Sequence, residues 1–223
     1  MKTAFANIAS YSLSKPVLNM DAIRSARPER EPYPFVLASG TLAPGIAPAL
    51  NRDFPDIKKN GYLPLSLLKR EGMFDALLRD LEGPEIADIL SDKLGLELRD
   101  KPRMITVRKW SAGNDGRIHN DGEAKICTSL IYLNETWPEG DAGRLRVLRS
   151  ESSFDDTAAE VPPVFGSFFA FKRTDNSWHG HKPFTGERRV IQTTWLRSWD
   201  DFERKEKRGR FAFLLKRLLS SSY

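Results

Sequence analysis

Cysteine is almost missing from this chain. Cys127 is the only one in 223 residues, so no disulfide can form within it, and a reducing cytoplasmic setting is expected. On the strand-like segment where it falls, its thiol reads as a small buried apolar group rather than a nucleophile. Long apolar runs are missing too: none approaches the roughly 20 residues that a membrane-crossing helix needs. The first sixteen residues, MKTAFANIASYSLSKP, have one lysine and no continuous apolar stretch, which argues against a secretory signal. A large excess of one charge is also lacking. The net charge is +5, and much of it lies in the tail at Arg204, Lys205, Lys207, Arg208, Arg210, Lys216 and Arg217. Acidic residues alternate with these through Glu206, the pattern of a solvated helix rather than a basic stripe interleaved with stacking aromatics. No nucleic-acid partner is therefore expected. Repeats and low-complexity tracts are absent.

What is present suits one domain with a substantial core, since 40% of the residues are apolar. Residues 1–100 read as N-terminal support. Within them Pro34–Leu37 has the look of a strand, and 64–95 is helical, with Leu67, Leu68, Phe74, Leu77, Leu78 and Leu81 at three- and four-residue spacing. Gly83 interrupts that run, and Pro84 suits the first turn of a second helix carrying Ile86, Ile89, Leu90 and Leu94. Residues 101–199 change to β character: RMITVRKW, KICTSLIYL, GRLRVL, GSFFAFKR, SWHGH and RRVIQTTWL alternate with turn residues, the spacing of a sandwich or barrel. Residues 200–223 form a basic helix on which Phe211, Leu214, Leu215, Leu218 and Leu219 make one apolar face. Two uses are open for that face: packing against the barrel or a second subunit, and lying peripherally on an anionic membrane surface.

All three histidines, His119, His179 and His181, fall in the β region. His119-Asn120-Asp121 on extended backbone puts an imidazole and a carboxylate on one side, because side chains alternate with period two. A distant histidine completes two nitrogens and one oxygen on one face of a metal, the ligand set of non-haem iron(II) oxygenases. Downstream, Arg188 and Arg189 stand side by side on an apolar strand, so one of them points inward. A guanidinium inside a barrel is costly unless a carboxylate meets it, and 2-oxoglutarate carries one at the end remote from its metal-chelating keto acid.

From Trp110 to Leu196 the chain resembles the catalytic core of the Fe(II)/2-oxoglutarate-dependent oxygenases, in their prolyl 4-hydroxylase-like branch. The matching features are Trp110, Gly113, His119 and Asp121; then Ile131-Tyr132-Leu133-Asn134 with Trp137; then the turn Gly140 to Leu145; and finally His179-Gly180, Arg189 and Trp195. The resemblance implies a double-stranded β-helix (jelly-roll) barrel supported by N-terminal helices, with Fe(II), 2-oxoglutarate and O2 as cofactor and co-substrates. It assigns the metal to His119, Asp121 and His179, with His181 the fallback ligand. It places Arg189 rather than Arg188 on the co-substrate, with Tyr132 and Thr193 beside it. Trp110, Trp178 and His181 fall where substrate contacts are expected. Gly116 departs from the family, which often has an aromatic there, and Trp110 stands where Tyr is common.

The implied reaction is oxidative decarboxylation of 2-oxoglutarate to succinate and CO2 coupled to hydroxylation of an unactivated C–H bond. The alternatives are a cupin-type dioxygenase, a zinc hydrolase, or a non-catalytic binding module on the same barrel. The substrate, small molecule or peptide, and the oligomeric state are not written in the sequence.

Overall fold

Short elements come first in the fold. The computed structural model describes residues 16–138 and 140–220; of the side chains at 212, 213 and 215–220 nothing is described. Most of the segment weighed as a secretory signal, and Leu215, Leu218 and Leu219 of the C-terminal apolar face, therefore lie outside the described residues. Helix α1 (Met20–Ser25) starts at Asn19, whose side chain accepts from the Ala22 amide at 3.1 Å and satisfies one of the free donors of the first turn. After strands β1 (Pro28–Glu29) and β2 (Phe35–Ala38) come α2 (Ala47–Asp53) and β3 (Leu63–Pro64). The predicted pair of helices follows as α3 (Gly72–Glu82) and α4 (Pro84–Leu94), with Gly83 between them and Pro84 in the first turn. Residues 65–67, expected to be α-helical, form a single 3-10 turn instead. Pro64 precedes them, and a proline disfavours extending a helix backwards through it.

The β region is built from β4 (Arg103–Ser111), β5 (Lys125–Tyr132), β6 (Leu145–Leu148), β7 (Thr157–Val161), β8 (Phe168–Lys172), β9 (His179–His181) and β10 (Gly186–Leu196), and α5 (Trp199–Ser220) ends it. Seven strands form one sheet in the order β1-β2-β8-β5-β10-β4-β3, and β7-β6-β9 form a second. The fold is mainly β with flanking helices, as the pattern predicts. No ladder joins the two sheets among the described residues, so the expected jelly-roll barrel takes the form of two facing sheets. Strand β7 was not expected; its sequence, Thr-Ala-Ala-Glu-Val, has too few large apolar residues to stand out.

Alternation sorts each strand of the large sheet between two cores. Cys127 and Ile131 of β5, and Ile191 and Trp195 of β10, pack with Phe74, Leu77, Leu78, Ile86 and Leu90 of the helices. Leu130, Tyr132 and Val190 point the other way, where they meet Phe169, Phe171, Val147 and Val161 between the sheets. Phe169 is fully buried there, and truncating it to alanine would cost about 3–5 kcal/mol. Helix α5 lies against β3, β4 and β10, with Gly209 close to the Pro64 ring and Ser66 bonded to Glu206. Of its expected apolar face, Phe211 and Leu214 are exposed. No described helix is long and apolar enough to cross a membrane.

Candidate metal and co-substrate site

His119 lies in the connection between β4 and β5, and His179 opens β9. Their backbones exchange a reciprocal pair of N–H to carbonyl hydrogen bonds, both 3.0 Å, which places the two rings 4.3 Å apart between centroids. Each ring is oriented by a neighbouring carbonyl. His119 Nδ1 donates to Arg117 O at 2.9 Å, and His179 Nδ1 donates to Ser177 O at 2.8 Å. That choice of tautomer leaves both Nε2 lone pairs for a metal. Asp121, buried two residues on, completes the set: one ligand atom from each of His119, Asp121 and His179 lies within 4.8 Å of the others. His181 is not part of this group, so the choice between the two late histidines falls to His179.

The electrostatics favour ligation. Burial alone would raise the Asp121 carboxyl, but Lys125, His179 and Thr128 outweigh it and hold it down at about 2. Lys125 Nζ donates to Oδ1 at 2.6 Å, and Thr128 Oγ1 donates to Oδ2 at 2.7 Å. Burial lowers His179 to about 4, Asp121 opposing and His119 adding to the effect. At neutral pH the site therefore presents an ionised carboxylate and a neutral imidazole in His179, the forms that bind a divalent ion.

A cavity of about 290 Å³ opens from the triad toward β4 and β10, lined also by Tyr62, Arg108, Leu130, His181, Arg188 and Gln192. Here the structure corrects the sequence reading. Of the adjacent pair on β10, the arginine in the cavity is Arg188, which is 2% exposed, with Nε donating to Gly143 O at 3.1 Å and Nη2 to the Tyr132 hydroxyl at 3.0 Å. Arg189 projects from the opposite face, where it pairs with Glu187, bonds Asn51 and lies over the Phe54 ring. The inward residues of β10 are the even-numbered ones, Arg188, Val190 and Gln192; a register shift between Glu187 and Val190 marks where the strand enters this alternation. Thr193 has the wrong parity for the same reason. It is buried on the helix side, away from the cavity, and its Oγ1 has no partner.

The other expected contacts divide. Tyr132 is fully buried beside Arg188, and burial raises its phenol above the ordinary range, so it stays protonated. His181 lines the cavity; burial first, then Arg188, lowers it to about 4. Gly116 explains its place: the backbone there has φ +81°, and any side chain would collide with the His181 ring. The space a side chain at position 116 would fill is taken by the His181 ring arriving from β9. Trp110 does not line the cavity; its Nε1 donates to Ile57 O at 2.8 Å. Nor does Trp178, whose carbonyl accepts from the Tyr33 hydroxyl at 3.0 Å. The sequence reading missed Arg108, Tyr62, Lys125 and Gln192. For Arg108 a signal existed, because Val107 faces the helices and its neighbour on β4 must face the cavity.

Comparison with known proteins agrees with this geometry. Residues 105–197 match the family model of the 2OG-Fe(II) oxygenase superfamily. That segment, a little over two fifths of the chain, is what resembles the 2OG-Fe(II) oxygenases. A Pseudomonas putida prolyl-4-hydroxylase structure aligns over 81% of this chain and 97% of its own, with TM-score 0.53 and 16% identity. A prolyl 4-hydroxylase from Phytophthora capsici aligns over 82% of this chain and 62% of its own, with TM-score 0.50 and 20% identity. The viral collagen prolyl hydroxylase from Paramecium Bursaria Chlorella virus-1, solved with 2OG, aligns over 74% of this chain and 95% of its own at TM-score 0.50 and 16% identity. At such identities the likeness establishes the fold, the prolyl 4-hydroxylase-like form of the jelly roll. No curated protein matches the chain significantly in sequence. Oxygenases of this superfamily use Fe(II), 2-oxoglutarate and O2, and His119, Asp121 and His179 are the residues that could hold the metal.

Proposed function

We propose that this chain is a 2-oxoglutarate-dependent dioxygenase that hydroxylates an unactivated C–H bond, with Arg188 rather than Arg189 as the co-substrate's anchor. The observation that carries this reading is Arg188 itself. It is a buried guanidinium in the same cavity as the His-Asp-His cluster, and among the described residues its partners are a carbonyl and a phenol, with no carboxylate. Leaving a buried charge without a counter-ion is costly unless a ligand supplies one. The remote carboxylate of 2-oxoglutarate has the right charge and shape, since a guanidinium grips a carboxylate through two parallel hydrogen bonds.

In this reading His119, Asp121 and His179 hold Fe(II), which supplies the oxidising chemistry once 2-oxoglutarate and dioxygen are bound. The protein's part is positioning. Thr128 and Lys125 fix the Asp121 carboxylate, Arg117 O and Ser177 O fix the imidazoles, and Tyr132 and Gly143 O fix Arg188. Anaerobic protein should bind Fe(II) and 2-oxoglutarate together, with a weak charge-transfer absorption in the visible, and release succinate when air is admitted. Asp121→Ala should abolish both. Unchanged co-ligand binding and succinate release in Asp121→Ala and Arg188→Gln would overturn the proposal.

A further inference from the structure

The same cavity holds a second guanidinium that the co-substrate leaves unused. Arg108 of β4 is 8% exposed, and its Nε has no hydrogen-bond partner. Its nearest acid, Asp115, stands 3.6 Å from Nη2, beyond hydrogen-bond reach. The oxygen that faces it is Oδ1, a long ion pair, while Oδ2 accepts from the Ala112 amide at 2.8 Å and the Ser111 hydroxyl at 3.3 Å, which holds the carboxylate in its own turn. The Arg108 guanidinium lies over the Tyr62 ring at 4.3 Å, which fixes its plane. A second orphan shares the cavity, for His181 is 3% exposed and its Nε2 has no partner either. Buried polar atoms without partners are expensive, and two of them around one cavity indicate groups that a ligand is to satisfy.

This inference rests on the reading above, in which Arg188 and the triad are taken up by 2-oxoglutarate and the metal. We infer that the primary substrate carries an oxyanion, a carboxylate or a phosphate, and that Arg108, held flat on Tyr62, binds it with His181 beside it. At about 290 Å³, shared with the co-substrate, the cavity admits only a small part of the substrate. A basic group of the matching sign lies nearby: Arg204, Lys205 and Arg208 of α5 line a separate depression with Gly122, Glu123 and Ala124, and Lys205 is close enough to Asp121 and Lys125 to interact with their charges.

Manganese(II) in place of iron makes this testable without knowing the substrate, because it speeds the magnetic relaxation of nuclei bound nearby. Protein loaded with Mn(II) and saturating 2-oxoglutarate would be titrated with acetate, inorganic phosphate and acetamide, following the acetate and acetamide methyl protons and the phosphate phosphorus. Saturable relaxation of acetate or phosphate, none of acetamide, and a loss of ten-fold or more in anion affinity in Arg108→Gln but not Arg189→Gln is the expected result. Which anion responds separates carboxylate from phosphate. Arg108→Lys, which retains the charge, should recover part of the effect. Equal relaxation by acetamide, no saturable effect from either anion, or an anion effect that persists in Arg108→Gln would overturn the inference. The 2-oxoglutarate methylene signals in the same samples keep the two proposals apart. If they relax in wild type and Arg108→Gln alike while the anions fail, only the Arg108 assignment falls. If they do not relax in wild type, the co-substrate reading falls and this one with it.

Discussion

The Tyr132 hydroxyl accepts a hydrogen bond from Arg188 Nη2 at 3.0 Å, joining the last residue of β5 to the inward arginine of β10. The pairing orients the guanidinium from one side while Gly143 O holds Nε from another, so its remaining donors are directed rather than free to turn.

Arg188 and Arg189 are adjacent in sequence and should be far apart in effect. Arg188→Gln should weaken 2-oxoglutarate binding by roughly 100-fold or more, as removing one partner of a buried charge pair does. Arg189→Gln, on the opposite face, should stay within about three-fold, since partly exposed ion pairs contribute little. Titration of 2-oxoglutarate into the anaerobic Fe(II) protein measures both; equal losses would show that the strand's facing has been misjudged.

Thr128→Val removes the hydroxyl that donates to Asp121 Oδ2 at 2.7 Å while nearly preserving volume. Partners of this kind, one step out from a metal, typically change affinity by about 10- to 100-fold. Weaker Mn(II) or Fe(II) binding by that factor, with little change in thermal stability, is the expected outcome of a metal titration.

Gly116→Ala should destabilise the fold by about 1–3 kcal/mol, because it places a side chain at φ +81° and drives it into the His181 ring. At this chain length each kcal/mol is worth about 2–4 °C in Tm. A melting curve that does not move would mean His181 is not seated where it is found.

Acid should destabilise the metal-free protein over a defined range. Burial holds His179 and His181 at about 4, below the ordinary 6.5 that they regain on unfolding. Between those values the unfolded chain takes up protons that the folded one refuses. The histidines' part of the stability is thus full above about pH 6.5 and falls as pH drops toward 4, each contributing on the order of 3 kcal/mol; below that the loss continues through Asp121, which is held at about 2. Urea unfolding in the presence of chelator across this range checks it; a flat profile would contradict the burial of both rings.

How far the sequence could be read depended on period and parity. Pro84, the heptad-like leucines and the β-rich runs announced α3, α4 and six of the β-region strands, because each buries a wide apolar face. His119 and Asp121 were legible from their two-residue spacing. The Arg188 and Arg189 pair shows the limit. Counting an interval from His179 chose Arg189, but facing is settled by the alternation that Val190 and Gln192 share with Arg188. Thr193 failed by the same one-residue slip. Trp110 and Trp178 were close in sequence to the site, yet their partners, Ile57 O and Tyr33, come from the N-terminal segment, which no local pattern connects to them.

The backbone pair between His119 and His179 has a consequence for the protein as a whole. His179 belongs to the small sheet, whereas Asp121 is tied by Thr128 and Lys125 to β5 of the large one. An ion held by all three would be a rivet through both sheets. Loading the metal and clamping the sandwich shut would then be one equilibrium, and resistance to unfolding would rise with metal supply.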